Sequence, residues 1–325
     1  MLSRSMCACL GRSSTGPALL KWPTLSEDEY DERNPGMALE AAIRRPGSQA
    51  QAQRHLRRCL DSGVDPMHHV TAEQLGRVVR KGKMVDEFAS LVKPDFSQPG
   101  WSTGVNSESG LWFGYRVDRK ARCMHAVVVH DVQGGDPVRA AAGYCATDLF
   151  SKHSPEVQQC TVLAQSADCS LWNQVKEHSD DIVQVDLVNA LDDPLGAVML
   201  IIHAEPDGSP DFPFVNIPKP SRSARSQSSK QCMAFAPLGD GSMRMHVGVL
   251  APLPDDDTAQ AMEGMSREHV AKVMRPLVVL WPRSFVDFLS EHKADLVHWE
   301  AFSVQASFYA LCRSYSRFPQ PVVNP

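Results

Sequence analysis

Residues 281–302 read WPRSFVDFLSEHKADLVHWEAF, and the reading of this stretch decides how the chain is organised. Pro282 suits the first turn of a helix, where a missing N–H forfeits no hydrogen bond. Phe285, Phe288, Leu289, Leu296, Trp299 and Phe302 recur at helical spacing, while Asp287, Glu291, Lys293 and Asp295 fall elsewhere. That pattern predicts one long amphipathic helix. Its apolar stripe needs a partner surface, and the chain upstream supplies a sheet.

LWFGYRV (111–117) and ARCMHAVVVHDV (121–132), rich in aromatic and β-branched residues, flank the polar turn Asp118-Arg119-Lys120 and read as a hairpin. Asp136-Pro137 opens a helix, DPVRAAAGYCATDLFSKH, with an N-cap followed by proline. Strand patterns follow at 157–165, 171–178, 182–191 and 196–205. KQCMAFAPL (230–238) and SMRMHVGVLAPL (242–253) flank Gly239-Asp240-Gly241, a hairpin turn. A short helix starts at Ser266 and is expected to stop around Pro276. Nearer the N-terminus, 37–60 has helical spacing interrupted at Pro46-Gly47. TAEQLGRVVRKGKMVDEFASLV (71–92) reads as a helix capped by Thr71, either whole or broken at Gly82, whose Arg77, Arg80, Lys81 and Lys83 form a solvated face or, as the alternative, a phosphate or lipid-headgroup patch. Residues 206–231 are Pro-rich and irregular. The fold class is α+β: an antiparallel sheet closed by a C-terminal helix. The expected divisions are a tail and acidic linker (1–36), a helical extension (37–94), the sheet-and-helix domain (95–305) and a tail (306–325).

Composition narrows the function. Lys and Arg total 33 against 38 Asp and Glu, a net charge of -5, which disfavours nucleic-acid binding. No apolar run approaches the roughly 20 residues of a membrane-spanning helix. Nine cysteines, an odd number without zinc-ligand spacing, point to a reducing compartment and no metal. A cytoplasmic location is expected. The first 21 residues carry Arg4, Arg12 and Lys21 without an acid, so a mitochondrial or plastid transit peptide is the alternative.

The chain has no G-x-S-x-G, Walker A, G-x-G-x-x-G or H-E-x-x-H pattern. His125 and His130 sit five apart on one strand and point to opposite faces. Candidate reactive sets are Cys145 with Asp148 and His153, and His130 with Asp131 or Tyr115. Neither has a motif behind it, and the expectation is a non-enzyme that uses no cofactor. Tryptophans at element starts and methionines in the C-terminal half suit either a filled core or a pocket for a flexible apolar ligand.

Several stretches taken together resemble the steroidogenic acute regulatory protein-related lipid-transfer (START) domain family. They are GWSTGVNSESGLWFGYRV (100–117), MHAVVVHDVQG (124–134), DPVRAAAGYCATDLFSKHSPEV (136–157), DIVQVDLVNAL (181–191), CMAFAPLGDGSMRMHVGVLAPLP (232–254) and WPRSFVDFLSEH (281–292). The chain carries Lys152-His153-Ser154-Pro155 where that family often has Trp-x-Pro. The resemblance implies a helix-grip fold whose internal cavity holds one lipid, sterol or other apolar molecule. Transient membrane contact fits such a carrier. The cavity walls would include Trp112, Tyr115, Met124, Trp172, Met199, Met245, Phe285, Phe288, Leu289 and His292. The alternative is an interaction subunit of the same fold with a packed core and a protein partner.

Overall fold

The computed structural model describes residues 34–106, 108–191, 196–205, 207–220, 229–238 and 241–314. The readings made for the N-terminal 33 residues, the turn at 192–194, the serine-rich 221–228, the turn residues 239–240 and the tail 315–325 lie outside them.

The strands are β1 Ser102–Val105, β2 Trp112–Asp118, β3 Cys123–Val132, β4 Val157–Gln165, β5 Cys169–Lys176, β6 Asp180–Ala190, β7 Ala197–Ala204, β8 Lys230–Pro237 and β9 Met243–Pro252. They form one antiparallel curved sheet in the order β1-β2-β3-β9-β8-β7-β6-β5-β4. Residues paired across strands share a face, so register assigns every side chain to a side. One row runs Phe113, Val128, Val247, Met233, Leu200, Leu187 across six strands and defines the inner face. The adjacent row, Gly114, Val127, Gly248, Cys232, Ile201, Asp186, Cys169, defines the outer face.

Helices α1 Pro35–Ile43, α2 Gln49–Asp61 and α3 Ala72–Val92 come before the sheet. Val85, Phe88, Leu91 and Val92 of α3 pack on Met199, Ile201, Cys232 and Ala234, so the expected N-terminal extension supplies the layer over the outer face. Thr71 and Gln74 close a reciprocal capping box at the start of α3. Gly82 does not break this helix: a Cβ there would lie 2.5 Å from Gln53, so the glycine is where α2 and α3 touch. Gly248 serves the same purpose on β9, where a Cβ would stand 2.3 Å from the Leu91 carbonyl oxygen.

The inner face is covered by α4 Pro137–Cys145 and α5 Phe150–His153. After β9 come α6 Asp256–Glu263, α7 Arg267–Val273, a π-helical turn Pro276–Leu280, α8 Trp281–Glu291, α9 Lys293–Phe302 and α10 Ala306–Ser314. Asp136 caps α4 as its position before Pro137 implies, accepting from the Val138 and Arg139 amides. The predicted 136–153 helix divides at Ala146, whose ψ is 80°. The predicted 281–302 helix divides at His292, after α8 has buried Phe285 and Phe288. Helical structure continues past Pro276 because the proline opens the π turn, where its missing N–H costs little. Phe308, Tyr309 and Cys312 of α10 are fully buried, so residues 306–314 belong to the core and are not a tail.

Candidate functional site

The space between the inner face and its cover is apolar and, where α8 lies, occupied by stacked rings. The Phe285 ring lies 5.0 Å from Trp281, 5.2 Å from His153, 6.3 Å from Phe235 and 6.5 Å from Tyr144, centroid to centroid. Tyr144 and Phe150 extend the cluster to Trp172. Toward β2 and β3 a second cluster joins Phe113, Tyr115, Val128, Met262, Met274 and Val278.

His153 is the polar centre of the first cluster. Its ring is fully buried beneath Phe285 and Phe288, with centroids 5.2 and 4.9 Å away. Ser154 Oγ lies 3.0 Å from His153 Nδ1 and accepts a hydrogen bond of 3.3 Å from Trp281 Nε1. Ser154 has one proton left to donate, and where it goes to Nδ1 the histidine proton sits on Nε2. Burial lowers the His153 pKa to about 3, so the ring is neutral. A histidine depressed in the fold relative to its ordinary 6.5 favours folding above that value and loses the contribution as pH falls toward 3. The melting temperature is therefore expected to fall on acidification through this window, and less steeply in His153→Phe. Equal slopes in the two proteins would show that His153 does not govern the acid limb.

The structure distributes the predicted wall residues over both faces. Trp172, Met245, Phe285 and Phe288 lie in the main inner cluster, with Leu289 packed against it. Tyr115 and Met124 face inward at the β2–β3 end. His292 ends α8, its ring 5.1 Å from Phe288 and its Nδ1 3.0 Å from Asp295. Trp112 and Met199 are corrections. Trp112 pairs with Val129 on the outer face and meets the edge of Phe96, while Met199 lies beneath α3. Both come from strands apolar on two sides, where alternation has no readable phase.

The reactive set around His130 also separates. His130 faces inward while Asp131 points outward to Arg244, with hydrogen bonds of 2.6 and 2.7 Å. Tyr115 pairs with Ala126, four residues along from His130. Burial pushes the Cys145 thiol up to about 12, which removes its nucleophilic form at neutral pH.

A polar site that the sequence reading did not find lies on the outer face, under α3. The Lys81 ammonium, 3% exposed, is held between Asp186 and Asp211. Gln184 Nε2 donates to Asp186 at 2.7 Å and to Asp211 at 3.0 Å, and His203 bridges Asp186 (3.3 Å) and Glu205 (3.1 Å). Burial opposes the His203 charge, but the bonds and charges of Asp186 and Glu205 outweigh it and raise its pKa to about 9. Burial likewise opposes ionisation of Asp186, and Lys81 and His203 reverse this, holding its carboxyl far below the usual range. Cys169, Asp186 and Asp211 bring ligand atoms within 4.8 Å of one another, but the ammonium already balances the carboxylates and burial keeps the Cys169 thiol protonated. Further along this face, an open cleft of about 830 Å³ includes Lys93, Pro94, Phe96, Trp112 and His246 in its lining.

No family model and no curated protein matches this chain. Solved structures do show a likeness. A STAR-related lipid transfer protein from Xanthomonas axonopodis is 15% identical with a TM-score of 0.42, covering 59% of this chain and 98% of that one. Human STARD10 is 9% identical with a TM-score of 0.47, over 71% and 87%. Human StAR-related lipid transfer protein 5 is 10% identical with a TM-score of 0.40, over 72% and 97%. The strand order and C-terminal cover described above stand on their own as an α+β arrangement, a curved antiparallel sheet gripped by helices. Among the described residues no helix is long and apolar enough to cross a membrane.

Proposed function

We propose that the chain binds one apolar molecule, a lipid or sterol-like compound, between the inner face and its helical cover, and exchanges it without chemical change. The observation behind this reading is the construction of the cover. It is broken by a π-helical turn at Pro276–Leu280, a feature that proteins often place at functional sites. Its two ends are fastened unequally. At the π turn, Arg275 pairs with Glu108 and Arg283 donates to the Glu108 carbonyl, contacts that are solvent-exposed and hold weakly. At the other end, Arg313 makes two 2.8 Å bonds to Glu300 and a third to Asp136, all partly buried. The cover then opens from the π turn and stays anchored through α9 and α10. Membrane contact during exchange follows naturally, since an apolar cargo avoids water.

The second reading is an interaction subunit with a permanently filled interior. The ring stack around Phe285 favours it. Native mass spectrometry of the purified protein, followed by solvent extraction, separates the two. The expected result is a bound apolar species that is lost in Leu289→Trp, because Leu289 already abuts Gly143, where a Cβ would come within 2.7 Å of it. A clean unliganded mass together with a stoichiometric protein partner would establish the second reading.

A further inference from the structure

In the apolar layer beneath α8, two N–H groups have no hydrogen-bond partner among the described residues: His153 Nε2 and Trp172 Nε1. His153 is 0% exposed and Trp172 1%. A buried donor left without an acceptor is costly, and native folds leave few. These two share neighbours. Tyr144 lies 5.7 Å from His153 and 6.0 Å from Trp172, and Phe150 lies 4.6 and 5.7 Å from them. Ser154 accepts from Trp281 and has its one proton to give, and with that proton assigned to His153 Nδ1 the histidine carries its own on Nε2, so both groups are donors.

From this pairing we infer that the interior contains a polar recognition point, His153 Nε2–H with Trp172 Nε1–H, for a neutral hydrogen-bond acceptor on an otherwise apolar ligand. The inference rests on the proposed binding of an apolar molecule and specifies its chemistry. Buried donors without an acceptor suit a ketone or ester carbonyl oxygen, which accepts and brings no proton of its own. A carboxylate does not suit, because His153 is neutral and a buried anion needs a counter-charge. A hydroxyl brings a proton that neither group can accept. Phe285 and Phe288 are the rings over His153 and both belong to α8, so lifting the cover exposes the histidine where the ligand enters.

The test uses the full-length protein and a matched pair of probes, a long-chain methyl ketone and the alkane of equal length. Wild type is expected to bind the ketone about tenfold more tightly than the alkane. The infrared carbonyl stretch of the bound ketone should shift to lower frequency. His153→Phe keeps a ring and should lose the preference for the ketone over the alkane. Trp172→Phe should reduce it, and a single cooperative thermal transition serves as the folding control for both variants. Equal affinity of wild type for the two probes would overturn the recognition point and leave apolar binding standing. If neither probe binds, apolar binding itself falls and the recognition point with it.

Discussion

Lys81→Met is expected to destabilise the fold by about 3–5 kcal/mol, read as a lower urea midpoint at neutral pH. The size follows from what remains, not from what the ammonium adds. Asp186 is fully buried and Asp211 nearly so, and without Lys81 the two carboxylates face each other under α3. Their repulsion then favours uptake of a proton or of water, and both routes loosen the packing of α3 on the sheet. Arg80 still pairs with Asp211 at 2.8 Å, but its guanidinium is half exposed. Gln184 and His203 offer donors without placing a cation between the two carboxylates. A companion variant separates the cost of an orphaned charge from the worth of the network. Lys81→Met combined with Asp186→Leu and Asp211→Asn removes the charges together and should recover most of the loss, since buried ion sets often exchange for apolar groups at little net cost. If the single substitution costs under about 1 kcal/mol, in the range of an exposed pair, the network is open to solvent and does not pin the N-terminal layer.

The sequence showed this network only indirectly. In IVQVDLVNAL, Gln184 and Asp186 fall on alternate positions, which reads as a strand with one solvent-facing side. That side is in fact covered by α3. The missed clue was on the helix: Val78, Lys81, Val85 and Phe88 step by three and four, so Lys81 occupies the apolar stripe and must be buried with a counter-charge. Its neighbours Arg77, Arg80 and Lys83 disguised it as part of a basic surface. Strand positions along the chain and helix caps were legible because they are local, carried by Thr71, Asp136 and the turn residues between strands. Faces were not legible where strands are apolar on both sides, which is why Met199 and Trp112 were assigned to the wrong one. The recognition point was hidden for another reason. His153 sits at the end of a one-turn helix, and only the fold brings Trp172, Phe285 and Phe288 around it.

Phe285→Ala is expected to cost about 3–5 kcal/mol, the range for emptying a buried aromatic site. The ring is 0% exposed and touches the sheet at Phe235, the inner helices at Tyr144 and His153, and its own cover at Trp281 and Phe288. Tyr144, His153 and Phe288 are each held by a further ring and Trp281 by its bond to Ser154, so the gap does not collapse cheaply. The gap is apolar apart from the His153 edge, so it should stay dry and accept a small aromatic solute. Benzene at 100 times its dissociation constant would return about 2.7 kcal/mol. The informative comparison is wild type under the same benzene concentration. A raised melting temperature in wild type means that the Phe285 side chain yields its place without mutation, which a cargo-binding interior requires. No change in wild type beside recovery in the variant means the ring is fixed packing and the interior is closed. The two proteins together thus decide whether the stack over His153 is a movable stopper or a permanent core.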